Sequence, residues 1–241
     1  MMTQVWFRML SRRLAACSAA LVFATAWPAL AQSESATDPL ESMNRVVFEF
    51  NEVLDRAVLK PVARAYADVV PETPRRLFRN FVSNLLEPWN AVNNLLQGKP
   101  AAAASDVARF AVNTLTTLGL EDPASTELGL TRSNEDLGQT LGVWGFGPGP
   151  YLVLPFLGPS SVRDGIGRIG DISMDPSRKI ADGQEFAAFT AMRFVEQRAT
   201  LLPMERLIES AALDRYSFIR NAYLQRRQNQ VYDGNPPEPK E

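Results

Sequence analysis

Seventeen prolines divide this 241-residue chain into short segments, and most of these segments carry apolar residues at helical spacing. Near the start, Val47, Phe50, Leu54 and Val58 recur every three or four residues, as one face of a helix requires. Proline lacks an amide donor and fits poorly inside a helix, so we predict two helices hinged near Pro61.

The same periodicity predicts helices further along. Residues 77–86 carry a wide apolar stripe, and Glu87-Pro88 is expected to begin a new helix, since proline is favoured in a first turn. Two more helices are predicted over residues 182–202 and 203–232. The residues predicted to face inward are Trp89, Val92, Leu95 and Leu96 in the helix after Pro88, and Val107, Ala111, Leu115 and Leu118 in the next.

Strand signals are weak throughout the chain. The one candidate, Tyr151–Leu154, is too short and too closely bounded by prolines to be expected in a sheet. The sequence therefore predicts an all-α single domain built from many short, proline-delimited helices.

The N-terminus is typical of an exported protein. Residues 1–31 combine a basic start, a short apolar run and the cleavage pattern Ala29-Leu30-Ala31, which predicts a signal peptide cleaved after Ala31. The alternative, a transmembrane anchor, is disfavoured because the run is short and contains Pro28. We expect a polar leader at 32–37, a helical domain at 38–232 and a disordered tail at 233–241.

Composition excludes several classes of chemistry. The chain contains no histidine, which removes the usual general base and the commonest metal ligand. Its single cysteine, Cys17, cannot form a disulfide within the chain, and the net charge of −2 does not suggest nucleic-acid binding. No nucleotide-binding or hydrolase motif is present, so we expect no catalytic residues, no metal and no cofactor.

The segment "WGFGPGPYLVLPFLGPSSVRDG", from Trp144 to Gly165, is apolar and yet rich in glycine and proline. A loop of this kind would leave backbone polar groups unpaired if it were buried. Irregular backbone at membrane depth is tolerated where protein or a water-lined cavity meets lipid. The segment therefore suggests contact with a membrane or with acyl chains.

Five stretches, in order, resemble the MlaA/VacJ family across nearly the whole chain after the predicted signal peptide. They are "DPLESMNRVVFEFNEVLD", "RNFVSNLLEPWNAVNNLLQGKP", "ARFAVNTLTTLGL", "EDLGQTLGVWGFGPGPYLVLPFLGPSSVRDG" and "AYLQRRQ".

This resemblance implies a non-enzymatic, ring-like or disc-like helical protein at the periplasmic face of the outer membrane. It implies an amphipathic channel that removes misplaced phospholipid from the outer leaflet and so maintains lipid asymmetry. The implied partners are phospholipid, an outer-membrane porin trimer and a soluble periplasmic lipid carrier.

The resemblance also suggests site residues. The lipid-path candidates are Phe146, Tyr151, Leu154, Pro155 and Phe156, and the candidates in the early motif are Asn44, Phe50 and Asn51. Arg163-Asp164 also matches the family pattern, and we interpret it as a structural ion pair or a helix cap. Many family members are acylated at a cysteine, but Cys17 precedes most of the apolar run, so we expect cleavage after Ala31 without acylation.

Two other hypotheses remain open at this point. A lipid hydrolase with a carboxylate pair would release free fatty acid, although the lack of histidine disfavours it. A purely structural porin-associated factor would carry no bound phospholipid.

Overall fold

The structure is a computed structural model that describes residues 38–179, 182–205 and 214–237. The predicted signal peptide, Cys17 and the polar leader lie outside these residues. The helices belong to one compact unit, Leu40–Glu241. In chain order the elements are α1 (Glu41–Leu54), α2 (Lys60–Val69), α3 (Glu72–Leu96), α4 (Pro100–Thr117), α5 (Pro123–Thr126), α6 (Leu137–Val143), β1 (Tyr151–Leu154), β2 (Gly158–Ser161), α7 (Val162–Met174), α8 (Gly183–Leu201) and α9 (Arg215–Val231).

The chain around Pro61 changes pitch without leaving the helix. A π-helical turn, Asp55–Leu59, joins α1 to α2. Pro61 has no N–H to donate to the preceding turn, and a wide turn absorbs the resulting change of register. The interruption lies where the sequence predicts it, but the backbone remains helical from Glu41 to Val69.

The prediction that Glu87-Pro88 begins a new helix is wrong. Helix α3 runs unbroken from Glu72 to Leu96 with Pro88 inside it. Helices α3 and α4 pack along each other, and this tertiary contact outweighs the cost of an internal proline.

The predicted inner faces of α3 and α4 are also wrong, because these helices bury polar residues and expose apolar ones. Of the predicted inward residues, Leu95 is 60% exposed and Leu115 is 84% exposed. The buried positions are instead Asn84, Glu87, Asn90, Ala91, Asn93 and Asn94 in α3, and Ala103, Asp106, Arg109 and Asn113 in α4.

Hydrogen bonds and ion pairs satisfy much of this buried polar face, although Asn84 Oδ1, Glu87 Oε2 and Asn94 Oδ1 have no hydrogen-bond partner among the described residues. Arg109 is fully buried, and its Nε donates to Glu87 Oε1 at 3.0 Å. Its Nη2 donates to both carboxylate oxygens of Asp122 at 2.9 and 3.0 Å, and its Nη1 donates to the Leu130 carbonyl at 2.6 Å. Burial raises the pKa of Glu87 in spite of the Arg109 hydrogen bond. A buried charge needs such partners, because an unpaired one would destabilise the folded state by on the order of several kcal/mol.

The described part of the chain has no fully buried Leu, Ile, Phe or Met. These residues are ordinarily among the most buried in soluble proteins. The small apolar core consists of Tyr151, Val153, Tyr216 and Tyr223, against which Val47, Phe48 and Leu224 pack. Many of the large apolar side chains in the described residues are instead exposed, and most of the others are half-buried.

The prediction for Tyr151–Leu154 needs correction, since this segment does form a sheet. Strand β1 pairs antiparallel with β2, with Tyr151 opposite Ser161 and Leu154 opposite Gly158. A two-stranded hairpin is marginal by itself, and α1 supplies the additional contacts described below. With this exception, the all-α prediction is confirmed.

Glycines bring α6 and α7 into close contact. A Cβ on Gly167 would lie 2.4 Å from the backbone nitrogen of Gly138, so neither position has room for a side chain.

The helix predicted over 182–202 is confirmed as α8. Residues 206–213, in the first half of the helix predicted over 203–232, lie outside the described residues. The Lys99 ammonium contacts Asp233 at 2.5 Å at the start of the predicted tail, and residues 238–241 are also outside the described part.

Candidate functional site

The Asn44 side chain joins helix α1 to strand β1. Its Nδ2 donates to the Tyr151 carbonyl at 2.9 Å, and its Oδ1 accepts from the Val153 N–H at 2.9 Å. Asn44 is completely buried. Its amide therefore pairs with the edge of the hairpin in the way that a third strand would, and it satisfies backbone groups that would otherwise be unpaired.

Asn51 repeats this arrangement two helical turns later. Its Nδ2 donates to the Leu154 carbonyl at 3.0 Å, and its Oδ1 accepts from the Phe156 N–H at 2.8 Å. Seven residues separate the two asparagines, which places them on the same face of the helix. Together they hold the hairpin along its length and fix the conformation of its turn.

Phe156 lies at the tip of the hairpin in an uncommon conformation. Its φ is +64°, in the left-handed region that non-glycine residues rarely adopt. The ring is 67% exposed and packs edge-on against Phe50, with the ring centroids 5.5 Å apart. A bulky residue held in this geometry next to a cleft suggests a functional position.

An apolar groove of about 590 Å³ lies next to Phe156. Its walls come from α1, the π-helical turn, α2, the hairpin tip and α8. The lining residues are Leu54, Val58, Leu59, Val62, Phe156, Phe186, Ala187, Thr190, Ala191, Phe194 and Val195. The groove offers almost no polar group, so it suits an apolar ligand better than a polar one.

The structure brings together some of the predicted lipid-path residues and separates others. Phe156 lines the groove, and Pro155 is exposed in the turn beside it. Leu154 is half-buried, and its carbonyl binds Asn51. Tyr151 is 4% exposed in the core. Phe146 follows α6, does not line the groove, and accepts a hydrogen bond from Arg163 at 3.4 Å through its carbonyl.

Three further cavities meet at Arg226 of α9. Their volumes are about 470, 420 and 310 Å³. The largest of the three combines charged residues with an apolar wall, whereas the smallest is mostly polar. Besides Arg226, the largest is lined by Glu52, Asp55, Pro159, Arg198, Leu201, Glu205, Arg215, Phe218, Ile219, Ala222 and Tyr223.

Ion pairs hold the cavity walls together. Arg198 donates to both carboxylate oxygens of Asp55 at 2.8 and 3.0 Å and to Glu205 at 2.9 Å, which ties α8 to the π-helical turn. Lys60 binds the same glutamate at 2.7 Å. Although burial opposes ionisation, hydrogen bonds from Lys60 and Arg198 lower the pKa of Glu205.

Arg163-Asp164 belongs to a buried network at the smallest cavity. The two residues form the predicted ion pair at 2.9 Å, and Ser161, not Asp164, caps α7. The Asp164 carboxylate also accepts from Arg227 at 2.9 Å and from the Tyr223 hydroxyl at 2.6 Å. Burial alone would raise the pKa of Asp164, but these partners lower it to about 2.

The groove and the largest cavity share three walls. Helix α1 and the π-helical turn contribute Leu54 and Val58 to the groove but Glu52 and Asp55 to the cavity. The hairpin contributes Phe156 to the groove and Pro159 to the cavity, and α8 contributes Phe194 and Arg198 in the same way. The groove is thus apolar, whereas the cavity formed by the same elements combines charged side chains with apolar ones.

Sequence patterns identify part of this site and miss the rest. They select Phe156 and Asn51 but not Arg226 or the groove residues of α8. The apolar residues on more than one side of α8, such as Phe186 and Phe194, are a signal that could have identified its groove residues. Arg226 carries no such signal, because it is one of 25 basic residues in the chain.

The described residues offer neither a membrane-spanning helix nor a metal site. None of the helices in the described part of the chain combines the length and apolar content that crossing a bilayer requires. Residues 38–179, 182–205 and 214–237 also contain no cluster of acidic side chains suited to a metal ion.

Known proteins resemble this chain over most of its length. The family model for the MlaA lipoprotein matches residues 36–230. The intermembrane phospholipid transport system lipoprotein MlaA of Escherichia coli (strain K12) is 36% identical over 195 residues, which is 79% of this chain and 76% of that protein. The protein of the same name from Haemophilus influenzae is 34% identical over 214 residues, 87% of this chain and 85% of its own.

A solved structure supports the same relationship. It is described as "Structural basis for maintenance of bacterial outer membrane lipid asymmetry" and is 36% identical to this chain. The TM-score is 0.72, and the match covers 83% of this chain and 100% of the solved one. These similarities confirm the resemblance seen in the sequence, and the chain belongs to the MlaA lipoprotein family.

Proposed function

We propose that this protein transports phospholipid and does so without making or breaking covalent bonds. The observation that carries the proposal is that the same elements form an apolar groove and a cavity that combines charged side chains with an apolar wall. A phospholipid has the same division, because its acyl chains avoid water and its headgroup carries charge. The names of the relatives from E. coli and H. influenzae agree with this function.

The outward apolar faces of α3 and α4 support a membrane location. Leu95, Leu115 and Leu118 are 60%, 84% and 75% exposed. Apolar surface of this kind is stabilised by contact with hydrocarbon. We propose that the protein lies at the periplasmic face of the outer membrane, with its apolar faces in the inner leaflet.

The family resemblance supports a proposal for the direction of transport and for the partners. We propose that a ring-like arrangement of the helices encloses an amphipathic channel through which misplaced outer-leaflet phospholipid leaves the membrane. A porin trimer would hold the protein in place, and a soluble periplasmic carrier would accept the lipid. Lipid asymmetry would be maintained by energy supplied elsewhere in the system.

A deletion strain tests the proposal. Loss of the gene is expected to increase surface-exposed phospholipid, and the wild-type gene is expected to restore the normal level. Phe156→Asp should fail to restore it, because the variant places a charge in the apolar groove. Val69→Asp is the matched control, since Val69 is 79% exposed and lies outside the groove. Normal outer-leaflet lipid in the deletion strain would overturn the proposal.

Purified protein separates transport from the alternatives. Phospholipid that copurifies with the wild-type protein is expected and would argue against a purely structural role. Release of free fatty acid by the purified protein would contradict the non-enzymatic mechanism and favour a hydrolase.

A further inference from the structure

Arg226 is the one residue that lines three of the described cavities. It lies on α9 and lines the cavities of about 470, 420 and 310 Å³. Leu201 and Tyr223 each line two of them. The Arg226 side chain is therefore within reach of a molecule in any of the three cavities.

Most other arginines lining these cavities already have acidic partners. The pairs are Arg198 with Asp55, Arg215 with Glu52, Arg79 with Glu196, Arg193 with Asp175, and Arg227 with Asp136 and Asp164. Arg168 has no acidic partner, but it donates to the Leu157 carbonyl at 3.1 Å. Within the described part of the chain, the Arg226 side chain has neither an ion pair nor a hydrogen bond.

The paired acids change the local electrostatics. Asp55, Glu205 and Asp164 would repel an anion if they were free, but each is neutralised by a neighbouring cation. Among the described arginines that line these cavities, Arg226 is then the one whose guanidinium has neither an acidic nor a carbonyl partner. The planar guanidinium of arginine can donate two parallel hydrogen bonds to the oxygens of one phosphate.

We propose that Arg226 binds the phosphodiester of a glycerophospholipid as it moves between the cavities. The apolar side chains Leu201, Phe218 and Ile219 line the largest cavity near this charge, and they suit the part of a lipid next to its headgroup. The proposal rests on the proposed transport function and adds the group that recognises the headgroup.

Short-chain lipids provide a direct test with the purified full-length protein. Dihexanoyl-phosphatidylglycerol, titrated below its micelle concentration, gives a dissociation constant for the wild type. Arg226→Gln is expected to weaken this binding about tenfold, the effect of losing one charge-assisted hydrogen bond. Arg226→Lys should lose less, because it keeps the charge and loses only the planar geometry.

Arg76→Gln is the matched control. Arg76 is also exposed and lines none of the three cavities. Its variant should bind the lipid like the wild type, and an equal loss in both variants would overturn the proposal as a general charge effect.

Two further ligands identify the group that is bound. Dihexanoylglycerol has the same chains without the phosphate, and Arg226→Gln should leave its binding unchanged. If binding of both lipids falls equally, Arg226 has a structural role and the proposal is wrong. Inorganic phosphate should compete poorly with the lipid, and effective competition would reassign the site to free phosphate.

The same titrations separate this inference from the transport function. If the wild type binds neither lipid, the proposed function itself fails. If the wild type binds dihexanoyl-phosphatidylglycerol and Arg226→Gln binds it equally well, only the role of Arg226 is wrong.

Discussion

The Asn51 side chain accepts a hydrogen bond from the Phe156 N–H at 2.8 Å, across 105 positions of sequence. This contact holds the hairpin tip against α1 and keeps Phe156 in its left-handed conformation beside the groove. The early motif and the glycine- and proline-rich segment thus form one structural unit.

Replacing Asn44 should destabilise the protein more than replacing Asn51. Asn44→Ala leaves two buried backbone groups unpaired, and we expect a loss of about 2 to 4 kcal/mol in the free energy of unfolding. Asn51→Ala exposes its partners to water and should cost about 1 kcal/mol. Urea unfolding measures both. Asn229→Ala, at an exposed helical position, should change little, and equal losses in all three variants would contradict this account.

Phe156→Gly should abolish lipid binding and yet leave stability almost unchanged. Glycine relieves a left-handed strain of about 1 to 2 kcal/mol. The lost edge-on contact with Phe50 offsets it by about 0.5 to 1.5 kcal/mol. Thermal unfolding and copurified phospholipid provide the two readouts. A large drop in Tm would show that Phe156 has a mainly structural role.

The Asp164 network predicts a pH-dependent stability. The pKa of Asp164 is about 2 in the folded state and roughly 3.9 when unfolded. Because the folded state binds this proton less readily, its contribution of about 2 to 3 kcal/mol is complete above pH ~4 and is lost as the pH falls to ~2. Asp164→Asn should therefore be destabilised at pH 7 and match the wild type near pH 2.

Urea unfolding at several pH values checks this behaviour. Asp182→Asn is the control, because Asp182 is exposed and makes no side-chain cap hydrogen bond at the start of α8. A stability difference between Asp164→Asn and the wild type that persists at low pH would refute the assignment to ionisation.

Because α4 buries polar residues, replacing a buried asparagine in it should destabilise the protein more than replacing an exposed leucine. Asn113→Leu removes the bonds to Asp122 and to the Ala124 N–H, so it should cost about 2 kcal/mol in a buried position. Leu115→Asn, at a position that is 84% exposed, should change the free energy of unfolding by less than ~0.5 kcal/mol. Urea unfolding measures both, and the opposite order would contradict the polar interior of this helix.

Sequence periodicity located the helices more reliably than it oriented them. The spacing of Val107, Leu115 and Leu118 identifies a helix and an apolar face, and both exist. Periodicity does not tell whether that face contacts the protein interior, water or lipid. The usual assumption that apolar residues point inward fails here, because Arg109 and its acidic partners occupy the interior.

Local residue patterns were sufficient to identify the helical class, an interruption near Pro61 and the family. These depend on local backbone chemistry and on motifs that are read in order along the chain. Local patterns did not reveal that α3 continues through Pro88, that Tyr151–Leu154 forms a strand, or that Arg226 lines three cavities. Each of these depends on contacts between residues far apart in the chain. The helix or strand propensity of a short segment does not specify which distant residues it will contact.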